Sequence, residues 1–453
     1  MLQRKAIKKM EEWLQSDGKT ALLVDGARQT GKTTLIRAFA KKHFKQLAEI
    51  NFLTMPDAMD VFSGSLDADT IIERLSAFLQ KPLPKGKTLV FLDEIQECPS
   101  ARTAIKFLVD DGRFRYVESG SLLGISYKEV PSYPVGYESE LVMYPLDLEE
   151  YFLANGISDS LISRLLACYG SGKAVDPVVH ETLKKLFFTY LVVGGMPAAV
   201  QEYVDSHDIG AVVQIQRDIL NLYRQDIVRY APEKEKENIR RIFDLIGPEL
   251  NSRNRRFVLS DLKASARMRE LESDFLWLRD AGCALCCCNV TSPEAPLKLN
   301  ERSSLLRLFQ SDVGLLCGSC LENIQFPLLN GDVSVNMGSI LENFFAQEFS
   351  AHGFELYFYN RPGVGELDFV LQKGSTVLPV EVKSGADFRT HASLNRALAM
   401  KEWKLKQGIV FCSDNIRQDG KVLYLPWYLS MFLKQDEMPR GTIYQVDLSG
   451  LGV

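Results

Sequence analysis

Three groups of residues have types and spacings that could do chemistry. The first is Gly26-Ala27-Arg28-Gln29-Thr30-Gly31-Lys32-Thr33, which fits G-x-x-x-x-G-K-[ST]. Glycines let the backbone curl so that its N–H groups face phosphate oxygens, and a helix starting at the loop adds a favourable dipole. On this reading Gly26 and Gly31 shape the cradle. Lys32 reaches the β- and γ-phosphates of ATP, and Thr33, followed by Thr34, offers a hydroxyl to Mg²⁺. The second group is Asp93-Glu94, at the end of the apolar run Thr88-Leu89-Val90-Phe91-Leu92. Asp93 can hold the Mg²⁺ shell, and Glu94 is placed to orient or deprotonate the attacking water. Ser119, at the end of Arg115-Tyr116-Val117-Glu118, is a candidate γ-phosphate sensor, whereas Ser121 could equally be a turn residue. Arg28, Arg102, Arg113 and Arg115 are all candidates for a phosphate-sensing arginine. The third group gathers Glu342, Asp368, Glu381 and Lys383, with Glu381 and Lys383 two apart and so on one face of a strand.

The elements that must position these residues can be read around them. Ala21-Leu22-Leu23-Val24 before the glycine loop is a buried-strand run, and Thr34 to Ala40 has helical spacing, the context a phosphate loop requires. The run at 88–92, apolar throughout, predicts a strand covered on both faces of a parallel sheet. Leu148–Leu153, Glu181–Val193 and Val213–Tyr230 predict helices. Ile239–Ile246, Leu259–Ala266 and Leu271–Asp280 predict three shorter ones, followed by a strand over Cys283–Val290. Three helices and a strand hairpin suit a winged helix, with Arg253, Arg255, Arg256, Arg267 and Arg269 available to DNA. Residues 231–282 nevertheless carry 11 Lys/Arg against 10 Asp/Glu, a balance that favours an interdomain adaptor. In the last part, a helix from Gly338 to Phe349 is expected to carry Glu342 on its first turn. A strand over Gly365–Leu371 then carries Asp368 and Glu366 on one face, and a Lys373-Gly374 turn leads into the strand of Glu381.

These motifs, in this order, resemble a prokaryotic AAA-type ATPase family whose members carry a C-terminal domain of unknown function related to restriction-endonuclease-like folds. Ile50-Asn51-Phe52, Phe91 to Gln96, Ser119 to Leu123, Pro134-Val135-Gly136, Tyr144-Pro145-Leu146, Gly194 to Pro197 and Ser311 to Leu316 extend the resemblance along nearly the whole chain. It implies a multidomain α/β protein: a P-loop AAA-type parallel-sheet core over 1–145, a helical lid over 146–235, a winged-helix module over 236–330 and a nuclease-like α/β domain over 331–453. Gly195-Met196-Pro197 resembles the Gly-x-Pro turn of signal-transducing ATPases, which implies that Pro197 packs against adenine. The alternative is a helix–helix turn. Distant relatives place an arginine after Pro134-Val135-Gly136, where this chain has Tyr137. The C-terminal group resembles the PD-(D/E)xK signature, which implies a divalent metal shared by Asp368 and Glu381, a shell completed by Glu342, and Lys383 activating water. Residues 336–453 hold 12 Lys/Arg against 13 Asp/Glu, so composition shows no basic channel there.

Composition narrows the classes further. The 453 residues are 46% apolar and 25% charged, the profile of a folded globular chain. A formal charge of −5 gives no whole-chain footprint for nucleic acid. The richest apolar stretch, Leu186–Val200, is broken by Thr189 and Gly194-Gly195-Met196-Pro197, and the amino terminus lacks a signal-like apolar core. Nine cysteines, four of them bunched at 283–288, read as reduced thiols, and a cytoplasmic location is expected. Cys283, Cys286, Cys317 and Cys320 invite a zinc reading. The apolar strand pattern and the 30-residue gap after Cys286 argue for buried hydrophobes instead. The expected function is a Mg²⁺-dependent ATPase coupled to a nuclease-like domain, with DNA, a second copy or another protein as partner. The rival is a regulatory scaffold that binds nucleotide, turns it over little, and uses its C-terminal fold to hold a partner.

Overall fold

The computed structural model describes residues 2–16, 20–121, 134–251, 268–320, 325–331, 337–385, 387–436 and 446. Its first sheet contains β1 (Ala21–Asp25), β2 (Gln46–Asn51), β3 (Thr88–Asp93), β4 (Arg115–Ser119) and β5 (Glu138–Val142), in the order β2-β3-β4-β1-β5. Every pairing is parallel, and each residue of β3 is buried, as a strand apolar on both sides requires. One apolar cluster lies under the helices Ala68–Phe78 and Pro99–Asp111, another under Ala6–Gln15 and Lys32–His43. β4 separates the loop strand from the Asp93 strand. Its register sets Ser119 opposite both Val24 and Asp93, so three strand tips meet at one edge.

Helices follow at Leu148–Ala154, Asp159–Ser171, Pro177–Val193, Pro197–Ser206 and Ile209–Tyr230. Side-chain caps fix four of these starts, where Asp147, Ser158, Asp176 and Asp208 each accept an orphan backbone N–H, and Pro197 itself opens the remaining helix. Next come Lys236–Leu250 and Met268–Asp280. The predicted helix Leu259–Ala266 and the arginines 253, 255, 256 and 267 lie outside the described residues.

β6 (Ala284–Val290) pairs antiparallel with β7 (Glu301–Gln310) and, on its other side, parallel with β8 (Tyr357–Arg361). β9 (Gly365–Leu367) completes this sheet, so the hairpin shares its sheet with C-terminal strands. The third sheet holds β10 (Phe369–Lys373), β11 (Thr376–Val382), β12 (Gly408–Cys412), β13 (Arg417–Asp419) and β14 (Val422–Pro426), ordered β10-β11-β12-β14-β13. The strand expected over 365–371 therefore breaks at Asp368, where the chain passes from one sheet to the other. The helix Met337–Ala351 is buried along most of its length. Its described part runs from Met337, which places Glu342 beyond the first turn expected for it. A single apolar cluster runs from the helices after Leu146 through to Leu433.

Candidate functional site

The glycine loop closes over its own lysine. Lys32 Nζ donates to the carbonyls of Gly26 (2.7 Å) and Ala27 (2.8 Å). Burial pushes Lys32 down to about 8, while Glu94, Asp25 and Asp93 pull the other way. An ammonium this desolvated is poised for an anion. Gly26 and Gly31 have φ of 138° and 89°, where a side chain is strained, and a Cβ on Gly26 would collide with the Met143 carbonyl. Asp93 is the hub of the site. It accepts from Thr33 Oγ1 (3.1 Å), Asn51 Nδ2 (2.9 Å) and Ser119 Oγ. Glu94 stands beside it in a left-handed conformation (φ 55°). Its carboxylate accepts from Gln96 Nε2 (2.6 Å) and Ser121 Oγ (3.3 Å). Each serine thus attends a different carboxylate. Thr33 and Asp93 are hard oxygen donors already aligned, and they fit Mg²⁺.

Beside the loop, Leu2, Arg4, Gln29, Gly31, Thr34, Leu35, Pro197, Ala198 and Gln201 line a cavity of about 310 Å³. A Cβ on Gly31 would lie 3.6 Å from Pro197 Cγ, so the proline ring faces the phosphate loop. Arg4 stitches the wall, donating to the carbonyls of Thr30 (2.9 Å) and Tyr144 (2.7 Å). The turn before Pro197 is held from far along the chain. Gly195 N donates to Asp312 Oδ2 (2.6 Å), and Asp312 Oδ1 accepts from Leu315 N (3.0 Å). Gly314 packs so closely that a Cβ on Gly194 would lie 2.7 Å from its nitrogen.

The C-terminal residues are gathered but differently employed. Asp368 Oδ2 accepts from Val382 N (2.9 Å), and Lys383 Nζ lies 3.4 Å from Glu381 Oε2. Burial, then the charge of Asp368, pushes Glu381 up to about 8. Glu342 faces Arg307, whose Nη1 is 3.7 Å from Glu342 Oε2 and whose Nη2 is 2.5 Å from Glu366 Oε1. The guanidinium is fully buried and stacks over Phe358, 4.3 Å from the ring centroid. Among the described residues, no cluster of three or more His, Cys, Asp or Glu side chains is arranged to hold a metal ion. Cys283 and Cys287 are buried. Burial pushes the Cys286 and Cys288 thiols up to about 12, and Cys317 Sγ donates to the Leu191 carbonyl.

Residues 18–152 match a family model described as an AAA domain. That stretch, which carries the first sheet and the glycine loop, is similar to AAA domains. Residues 184–325 and 337–428 match two families described as domains of unknown function. No curated protein matches the chain. Among solved structures, the Walker-type ATPase PABY2304 of Pyrococcus abyssi is 14% identical, with 71% of this chain and 96% of that one covered and a TM-score of 0.41. The ORC1 protein of Aeropyrum pernix, solved in complex with DNA, is 14% identical over 73% and 93% of the two chains, with a TM-score of 0.30. The RuvB Holliday junction branch migration motor of Thermotoga maritima is 14% identical over 62% and 89%, with a TM-score of 0.29.

Around this first sheet, three candidate arginines are engaged elsewhere. Arg102 pairs with Glu138, Arg113 with Asp111 and Asp69, and Arg115 with the Leu14 and Ser16 carbonyls. Arg28 alone of the four belongs to the loop itself. Sequence reasoning gave no role to Asn51, Arg4 or Arg307. Asn51 had a usable signal, an amide at a strand tip level with Asp93. Arg307 had another, a lone cation inside Leu305-Leu306-Arg307-Leu308-Phe309. Arg4 had none. Among the described residues no helix is long and apolar enough to cross a membrane.

Proposed function

We propose that the chain binds ATP with Mg²⁺ and hydrolyses it. The observation that carries this is the convergence of Lys32, Thr33, Asp93 and Glu94 where β1 and β3 end. Gly26 to Gly31 cradle the phosphates, Lys32 neutralises the β- and γ-oxygens, and Thr33 and Asp93 hold Mg²⁺ directly or through its waters. The ion would draw charge off the phosphate oxygens as they are attacked. Glu94 takes a proton from the attacking water while the bond from the γ-phosphorus to ADP breaks, leaving ADP and inorganic phosphate. Pro197 and Leu2 give the adenine a flat apolar slot, and Ser119 reads the γ-phosphate through its bond to Asp93. Nucleotide titration and phosphate release on the full chain test this. Failure to bind either ADP or ATP overturns it.

Residues 146–235 act as the lid, and 236–330 as an adaptor of winged-helix type. Residues 331–453 form the nuclease-like module, with Asp368, Glu381 and Lys383 as its reactive group and DNA as its candidate ligand. A second reading, in which this module holds a partner and cuts nothing, is favoured by Arg307. Its guanidinium already supplies the cation at Glu342, which could join a metal shell only by releasing it. Strand-break assays on DNA and RNA with Mn²⁺, with and without ATP, separate the two readings.

A further inference from the structure

Arg28 lies in the phosphate loop and is held there by one helix. Tyr223 Oη donates to the Arg28 carbonyl (3.0 Å), Asp226 Oδ2 lies 3.1 Å from Arg28 Nε, and the guanidinium carbon is 5.9 Å from the Tyr230 ring centroid. Positions 223, 226 and 230 share one face of the helix Ile209–Tyr230. The same face reaches the segment after Glu94, since Tyr230 Oη donates to Glu97 Oε1 (3.3 Å). The ion pair is poorly formed. Arg28 Nε and Nη2 are both buried and make no hydrogen bond. Its carboxylate is compromised too: burial pushes Asp226 up, Arg28 opposes that, and the nearby charge of Glu94 adds to it. Arg28 is also close enough to Lys32 to bear on its charge. A guanidinium with unused donors therefore lies in the loop near its lysine, paired with a carboxylate whose charge is disfavoured by burial.

We propose that Arg28 is the arginine that reads the γ-phosphate, and that Asp226 holds it until ATP arrives. This rests on the ATP reading of the same site. A phosphate offers oxygens matched to the guanidinium fork and carries more charge than one carboxylate. Transfer of Arg28 to the γ-phosphate frees Asp226 and loosens the helix Ile209–Tyr230 from the loop. ADP lacks the group that competes for Arg28, so ATP and ADP would differ in their effect on that helix.

The test measures affinity of the full chain for Mg-ADP and for a non-hydrolysable Mg-ATP analogue, together with phosphate release from ATP. Arg28→Ala is expected to lose about tenfold or more in affinity for the ATP analogue while ADP affinity stays within about threefold, the worth of one charge-assisted contact. Its turnover is expected to fall by roughly 10³-fold. Arg28→Lys, which keeps charge without the fork, should fall between. Asp226→Asn should tighten the ATP analogue and leave ADP alone, because the competing anion is gone. A purely structural role would move both nucleotides together. An unchanged ATP-to-ADP affinity ratio in Arg28→Ala overturns the proposal. If Arg28→Ala does not fold, an unchanged ratio in Asp226→Asn overturns it. A wild-type chain that binds neither nucleotide overturns the underlying ATP reading instead.

Discussion

Lys32 is the residue on which the ATP site turns. Lys32→Ala should abolish nucleotide binding in a titration, because the ammonium tucked under the Gly26 and Ala27 carbonyls is removed. Glu94→Gln should still bind, since Asp93 keeps its contacts to Thr33 and Asn51, but phosphate release should drop by about 10²-fold or more. Full-rate hydrolysis by Glu94→Gln would remove Glu94 from the chemistry. The acidity of Lys32 adds a pH dependence. Burial pushes it down to about 8, and bound phosphates favour the charged form and so raise it. Below pH 8 the ammonium is already present and affinity is flat. Above it, binding must first protonate the amine, so affinity should weaken by up to about tenfold per pH unit. Calorimetry at pH 8.5 in buffers of different ionisation enthalpy should register proton uptake on binding. Flat affinity between pH 7 and 9.5 would mean that Lys32 stays charged without its ligand.

At the scale of elements, two motifs more than a hundred residues apart meet in one joint. Gly194-Gly195 precedes the helix Pro197–Ser206, and Ser311-Asp312-Val313-Gly314 opens the helix Val313–Cys320. Both were legible as motifs through the family resemblance, and Gly195-Met196-Pro197 also as a turn. Their contact was not, since nothing in either segment names its partner. The parallel sheet and its strand tips were legible for a different reason: continuous apolar runs ending in polar residues constrain both burial and position. The break at Asp368 was hidden because alternation continues across it, from Glu366 through Phe369. The joint makes a prediction. A Cβ at Gly195 would strike the Leu146 backbone, which cannot move as a flexible side chain could. Gly195→Ala should therefore cost about 3 kcal/mol or prevent folding, whereas Ala198→Gly, in the next helix, should cost only about 1 kcal/mol. Thermal denaturation of the two variants checks this, and equal melting temperatures would show that the turn is slack.

Across the whole molecule, charged groups fasten parts that are far apart in sequence. Lys5 reaches Asp147 and Glu149, Lys434 reaches Glu149, and Leu148 N donates to Glu348 Oε2 (3.2 Å). The amino-terminal wall of the cavity beside Pro197, the helix Leu148–Ala154 and the C-terminal helix Met337–Ala351 thus share one polar junction. Arg307 makes a second one, tying β7 to Glu342 and Glu366. Arg307→Gln would leave the buried Glu342 and the half-buried Glu366 without this cation, at a cost of about 3–5 kcal/mol. The same vacancy is what a divalent ion needs. Proton competition sets the conditions for seeing it: Glu381 holds its proton up to about 8, so a metal must displace that proton at lower pH. At pH 8.5, without nucleotide, millimolar Mn²⁺ should raise the melting temperature of Arg307→Gln well beyond any shift in the wild type, and the gain should shrink at pH 6.5. Glu381→Gln in the same background should lose the gain at both pH values. If Mn²⁺ leaves Arg307→Gln as unstable as before, these carboxylates do not form a metal site even when freed, and the C-terminal module is a scaffold that Arg307 holds shut.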